Sequence, residues 1–270
     1  MPEGPEVRRM AEGLAKRIVG KELVEAEILG GKWLKKEPTG IGVIRESLST
    51  KSLNVDWVRV KGKFIYAKMG DLYMWNTLGM GGGWRDERRK HAHFVLRFSD
   101  NSEVFFEDIR RFGNISFYSS YSDIEAKLKQ VGPDMLNEKV NLDAFKDRLY
   151  KRPNKNICQL IMDQKVISGV GNYIKSEALY RAGINPHITP AEMTDPQLES
   201  LWSWIGKIIK TSYKQGGATL ATYTDMDNNH GNFVFSFHVY RKENDPRGNK
   251  VIHEITPDGR MTHWVPEVQA

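Results

Sequence analysis

Cysteine is nearly absent: Cys158 stands alone among 270 residues. One thiol forms neither an intramolecular disulfide nor a multi-cysteine zinc site, so the fold must rest on its hydrophobic core, and a reducing compartment suits it. Long apolar runs are missing too. No stretch approaches the roughly 20 residues that span a bilayer, which excludes a helical membrane anchor. The chain does not open with a basic and then apolar leader, since Met1 is followed by Pro2-Glu3-Gly4-Pro5-Glu6. The expectation is an intracellular protein, nuclear in a eukaryote and in the cytoplasm or nucleoid otherwise. There is no internal repeat.

What the chain does carry is positive charge, with 40 Lys and Arg against 34 Asp and Glu, a net +6 and a pI near 9.2. That balance favours an anionic partner, and clustering strengthens the argument. Arg85, Arg88, Arg89 and Lys90 fall in one predicted loop, Arg110 and Arg111 in another, Lys61 and Lys63 in a third. The length suits two domains, each with its own core.

Periodicity divides the chain. A helix is predicted from Pro5 to the stop at Gly20, with Val7, Met10, Ala11, Leu14 and Ile18 on its core face. From about residue 22 to 118 short alternating runs predict strands at Leu23–Leu29, Ser52–Val60, Phe64–Met69, Leu72–Trp75, His93–Phe98, Glu103–Glu107 and Asn114–Phe117. A helix over Ser122–Gln130 follows, and Val131-Gly132-Pro133-Asp134 leads a hinge over 131–141. Helical spacing then returns at Leu142–Tyr150, Ile157–Met162, Tyr173–Ala182 and Asp195–Lys214, the last with Leu198, Leu201, Trp202, Ile205, Ile208 and Ile209 on one face. Phe233–Tyr240 and Val251–Ile255 read as a β-hairpin, with a third short strand at Met261–Trp264.

The amino terminus holds an unusual chemical possibility. Removal of Met1 would leave Pro2 with a secondary amine. A generic α-amino group has a pKa of roughly 8, against about 10.4 for lysine, so far more of it is neutral at pH 7. The positive end of a helix starting at Pro5 lowers it further. A secondary amine adding to a sugar C1′ gives an iminium that keeps its charge without losing a proton and serves as an electron sink. Glu3 is placed to protonate the ring oxygen and then shuttle protons, and Glu6 is a secondary candidate for the site. On helix physics alone, Pro and Glu here read more readily as a helix start than as a catalytic pair.

Met1-Pro2-Glu3-Gly4-Pro5-Glu6-Val7 is similar to the opening of the formamidopyrimidine-DNA glycosylase and endonuclease VIII family, and further similarity runs along nearly the whole chain. Lys61-Gly62-Lys63-Phe64 resembles the family's lysine turn, which implies that Lys63 holds the phosphate beside the lesion and assists catalysis. Asn76-Thr77-Leu78-Gly79-Met80 and Asp108-Ile109-Arg110-Arg111-Phe112-Gly113 resemble two loops that enter the duplex, with Met80, Arg110 and Phe112 at the matched positions. An enzyme acting at C1′ must flip a nucleotide out of the stack, at a cost of a few kcal/mol. An apolar wedge, a phenyl ring and a guanidinium can fill the gap and bond the orphaned base. Gly79 and Gly81-Gly82-Gly83 suggest an exposed loop around Met80.

Asp163-Gln164-Lys165, Gly169-Val170-Gly171-Asn172-Tyr173 and a helix bearing Glu177 resemble the family's helix–two-turn–helix. Glycine amides at the helix start, with Asn172, are then expected to grip a DNA phosphate. No strand precedes this glycine loop and no βαβ unit surrounds it, which argues against a dinucleotide site. Val239–Lys242 and Asp258–Trp264 resemble the two halves of the family's finger hairpin, but the four zinc-binding cysteines usual there are missing. His238, His253 and His263 lack partners at ligand spacing, and His91 and His93 share a face without a third ligand. The resemblance therefore implies the zincless-finger branch, with Arg260 reaching a phosphate through the minor groove. Packing in place of zinc falls to Phe233, Phe235, Phe237, Val251, Ile255 and Trp264. Gln215–Leu220 and the polar loop after it resemble the formamidopyrimidine branch, while Pro-Glu-Gly-Pro leans to endonuclease VIII, so the preferred base stays open.

Together these readings predict an α+β protein of two domains. Residues 1–130 form an N-terminal β-sandwich with flanking helices, 131–141 a linker, and 142–270 a helical helix–two-turn–helix domain with a zincless β-hairpin finger at about 232–267. The resemblance implies a bifunctional glycosylase and abasic-site lyase that excises oxidised bases and cleaves by β,δ-elimination through a proline Schiff base. The partner is double-stranded DNA with oxidised bases or abasic sites, bound in a basic cleft by a monomer that needs no cofactor, no metal and no membrane. Phosphate contacts by Lys63, Asn172 and Arg260 make affinity fall steeply with salt. A non-catalytic damaged- or bent-DNA-binding protein on the same fold remains the alternative.

Overall fold

A computed structural model describes residues 1–218 and 223–269. The chain forms two compact units. One comprises Met1–Pro2, Glu6–Gln130 and Thr219–His230, the other Glu3–Pro5, Val131–Ala218 and Gly231–Ala270. Among the described residues no helix is long and apolar enough to cross a membrane.

Helix α1 (Gly4–Ile18) buries Val7, Met10, Ala11, Leu14 and Ile18, and its Glu6 and its Lys16 and Arg17 complement the two ends of its dipole. The first unit is otherwise built on β1 (Glu22–Ile28), β2 (Leu53–Lys61), β3 (Phe64–Met69), β4 (Leu72–Thr77), β5 (Gly82–Arg85), β6 (Ala92–Phe98), β7 (Glu103–Asp108) and β8 (Asn114–Tyr118). These run antiparallel in the order β5-β7-β6-β1-β2-β3-β4-β8. Strands β1 and β2 share only the pairs Glu22↔Asn54 and Leu23↔Leu53. At that short junction the sheet folds over, and its halves face each other as a sandwich. Phe94 of β6 meets Phe117 of β8 at 6.0 Å, and Trp84 Nε1 of β5 donates to Asn76 Oδ1 of β4 at 3.1 Å. One continuous core fills the space between the halves. Helices α2 (Ile41–Leu48) and α3 (Tyr121–Gln130) flank it.

Two elements differ from the sequence expectation. Helix α2 falls in a stretch with no assignment. Gly82 and Gly83, expected in an exposed loop, are buried in strand β5. A Cβ at Gly82 would lie 2.5 Å from the Leu78 carbonyl oxygen and 2.9 Å from the Phe106 ring. Glycine here permits backbone packing rather than exposure.

In the second unit Asn141 caps α4 (Leu142–Tyr150) by accepting from Ala144 N–H, and Asn156 caps α5 (Ile157–Met162) by accepting from Cys158 N–H. Helix α6 (Asn172–Ala182) packs on α7 (Asp195–Lys214), with Tyr173 Oη 2.9 Å from Ser212 Oγ. A Thr194–Gln197 capping box opens α7, which buries Leu198, Leu201, Ile205, Ile208 and Ile209, whereas Trp202 stays half-exposed.

The terminal hairpin pairs β9 (Ile252–Ile255) with β10 (Met261–Trp264), not with Phe233–Tyr240. Phe233–Ser236 is a 3₁₀ turn instead. Buried Glu177 on α6 accepts from the N–H groups of His238, Val239 and Tyr240, which takes the donors that a strand ladder would use. Phe233 and Phe237 pack on Tyr173 at 5.8 and 5.5 Å. Aromatic alternation here serves a core, not a pleat. Of the residues expected to pack in place of zinc, Phe235 and Ile255 are instead 84% and 70% exposed.

Candidate active site

Glu3 is 2% exposed. Its Oε2 accepts from Gly171 N–H at 2.7 Å and Ile174 N–H at 3.3 Å, and its Oε1 accepts from Tyr173 N–H at 2.9 Å. The first turn of α6 is thus capped by a carboxylate far away in sequence, whose charge suits the positive helix end. The adjoining residue is fixed as well, for Gly4 N–H donates to the Gly169 carbonyl at 2.8 Å. A Cβ at Gly171 would fall 2.3 Å from Glu3 Cδ, so only glycine admits the carboxylate. The Gly169-Val170-Gly171 loop therefore cradles the chain's own acid. This corrects the expectation that its amides grip a DNA phosphate, since three amides at this helix start already have an acceptor.

Pro2, next to Glu3, is buried, and with Met1 attached its nitrogen is an amide. Glu6 is 1% exposed in the first turn of α1, and its carbonyl accepts from the Tyr223 hydroxyl at 2.6 Å. Burial, followed by the charge of Glu6, holds the Tyr223 phenol well above its ordinary range. No motif singled out Tyr223. Lys63 stands half-buried in the tight turn from β2 to β3, where Gly62 adopts φ +57°.

The loops bearing Met80, Arg110 and Phe112 are brought together. A Cβ on Gly79, at φ +62°, would lie 2.5 Å from Gly113 N and 2.6 Å from the Phe112 carbonyl carbon, so the two turns touch backbone to backbone. Buried Asp108 shapes the second turn. Its carboxylate accepts from Gly113 N–H at 2.6 Å and Arg110 N–H at 3.2 Å, and Arg111 is held at φ +60°. The turn thrusts Phe112 out, 59% exposed, with the Arg110 guanidinium 5.6 Å from its ring.

Asn172 and Arg260 also converge. Asn172 Nδ2 donates to the Met261 carbonyl at 2.7 Å, just past Arg260, and its Oδ1 is buried without a partner. Arg260 is exposed at the end of the β9–β10 turn, where Gly259 adopts φ +72° and Thr256 N–H donates to the Arg260 carbonyl. Lys175 and Asp258 anchor that turn through an ion pair at 2.6 Å, with side chains 0% and 4% exposed. Sequence reading missed this pair because lysine is ordinarily a surface residue. Rings pack the hairpin further, with His263 at 4.7 Å from Tyr240 and 4.5 Å from His253. Burial pushes the His263 imidazole down to about 4.

Among the described residues no three His, Cys, Asp or Glu side chains gather to hold a metal. His93 Nε2 lies 3.0 Å from the Asp108 carbonyl, which gives that ring a structural partner. The stretch expected to face the lesion, Gln215–Leu220 and beyond, runs into residues 219–222, which lie outside the described residues.

Three family models match in chain order. Residues 1–115 match the formamidopyrimidine-DNA glycosylase N-terminal domain, 131–224 its H2TH domain and 226–270 its C-terminal domain. The formamidopyrimidine-DNA glycosylase of Lactobacillus delbrueckii subsp. bulgaricus is 31% identical over 253 residues, 91% of this chain and 90% of that protein. That of Bacillus licheniformis is 29% identical over 98% of each chain. Among solved structures, a variant of Lactococcus lactis Fpg in complex with Fapy-dG-containing DNA superposes with a TM-score of 0.88 at 26% identity, over 99% of both chains. Lactococcus lactis Fpg in complex with abasic-site DNA gives 0.86 at 25%, again over 99% of both. On the matched domains, their order and the extent of the likeness, this chain belongs to the formamidopyrimidine-DNA glycosylase and endonuclease VIII family.

Proposed function

We propose that this protein is a bifunctional DNA glycosylase and abasic-site lyase of base excision repair, acting as a monomer on duplex DNA with oxidised bases. Removal of Met1 frees the Pro2 amine, which adds to C1′ of a flipped nucleotide as the base leaves. Glu3 takes the proton that the Pro2 nitrogen sheds once it is bonded to C1′ and passes it to the sugar ring oxygen; the bond from that oxygen to C1′ breaks, the ring opens, and the nitrogen lone pair makes the Pro2–C1′ bond an iminium. That cation stabilises loss of a C2′ proton and departure of the 3′ phosphate, and a second elimination then releases the 5′ phosphate.

The observation that carries this reading is the fixed carboxylate of Glu3 beside Pro2, held by three backbone amides. A carboxylate set in this way acts on a proton without first having to be ordered. Lys63 holds the neighbouring phosphate. Met80, Arg110 and Phe112 fill the space the base vacates, which the contact between their two turns and the exposure of Arg110 and Phe112 support. Asn172, whose side chain lies against the turn that carries Arg260, binds the DNA backbone together with Arg260. In this reading residues 1–130 are the catalytic domain, 131–141 the linker and 142–270 the DNA-gripping domain with a zincless finger. No cofactor enters any step.

The test compares the chain trimmed to Pro2 with one that keeps an uncleaved extension, each incubated with borohydride and a duplex containing an abasic site. The trimmed chain is expected to form a covalent adduct, and the extended chain to bind the same duplex without one. Adducts from both, or none from the trimmed chain, would remove Pro2 as the nucleophile.

A further inference from the structure

Helix α7 carries Gly206 in its interior, where alanine is the better helix former. Crowding does not demand it. A Cβ there would meet Met135 Sδ at 3.7 Å and Cε at 4.0 Å, which is ordinary contact. Gly206 lines an open groove of about 390 Å³ together with Met135 and Trp202. Lys207 and Lys210 rim it from α7 and Lys139 from the facing segment, all three exposed, with Glu138 sharing that rim. Among the described residues Lys139 and Lys210 enter no ion pair, and Lys207 lies over the Trp204 ring at 4.6 Å. Trp202 Nε1 is buried without a hydrogen-bond partner.

We infer that this groove docks an acidic segment of a partner protein through one aromatic residue flanked by carboxylates. The apolar floor takes the ring, and lysines on both walls meet charges on either side of it. The lysines enclose an apolar slot rather than forming the extended basic stripe that tracks a nucleic-acid backbone, which favours a peptide over DNA.

The probe is a fluorescein-labelled peptide, Asp-Glu-Asp-Phe-Asp-Glu, titrated with the whole chain at low salt and read by anisotropy. Saturable binding is expected, weakened at least about tenfold by the surface pair Lys207→Glu with Lys210→Glu. A similar loss is expected from Gly206→Leu, which fills the floor, and from serine in place of the peptide's phenylalanine. Thermal melting verifies that each variant folds. Absence of saturable binding overturns the inference, as does equal affinity for the serine peptide, which would mean charge alone. A single-stranded oligothymidylate that displaces the peptide and is itself weakened by the lysine substitutions would assign the groove to nucleic acid, and so also overturn it.

Discussion

Gly171 shows how one absent methyl group governs the proposed chemistry. Gly171→Ala would set a Cβ 2.3 Å from Glu3 Cδ and drive the carboxylate off its amides. The expected result is a loss of roughly a hundredfold or more in single-turnover base excision, the scale of a misplaced acid–base group, with affinity for abasic-site duplex largely kept. Gly42→Ala, where a Cβ has open space, is the matched control. Excision unchanged in Gly171→Ala would mean that Glu3 does not need this setting. His263 makes a second residue-scale prediction. Its imidazole is held near 4, against an ordinary 6.5, because burial penalises the charged ring. The unfolded chain takes up a proton that the folded one resists, so this contribution to stability is full above about pH 6.5 and is lost as pH falls toward 4. Urea unfolding of His263→Phe at pH 7 and pH 5 should show a smaller difference than the parent chain. An equal difference would place the acid sensitivity elsewhere.

At the scale of elements, the terminal hairpin is held by a buried charge pair and stacked rings. Removing Lys175 alone strands Asp258 in the interior, and Lys175→Met is expected to cost about 3–5 kcal/mol, whereas Lys175→Met with Asp258→Leu should cost much less. A double-mutant cycle by urea unfolding measures this, and a single-variant cost of only about 0–1 kcal/mol would mean that the pair behaves as a surface one. This pair also marks where sequence reading stops. Helices α1 and α7 and most strands were legible because their apolar residues follow a period that burial enforces. Phe233–Tyr240 was not, since the same alternation serves a turn whose donors go to Glu177. Gly82 and Gly83 read as loop because glycine signals flexibility as well as close packing, and only the tertiary neighbours decide which: the Leu78 carbonyl and Phe106 ring at Gly82, Met10 and Arg85 at Gly83.

At the scale of the whole molecule, the basic charge, the sandwich and the helical unit with its hairpin matched the sequence reading of an α+β protein. The candidate site was legible in its residues and not in its wiring. Pro2 and Glu3 stood out for their chemistry, but on local physics they read more readily as a helix start, and it was family resemblance that favoured the catalytic role. That Glu3 is held by amides from residues 171–174 is a non-local fact that no local pattern encodes. The proposed chemistry turns on one covalent bond, from the Pro2 nitrogen to DNA. Its most direct test is proteolysis and mass spectrometry of the borohydride-reduced adduct between the trimmed chain and an abasic-site duplex. The sugar remnant is expected on the peptide that begins at Pro2, attached at its amino nitrogen. A remnant on Lys63, or on any other lysine, would contradict it.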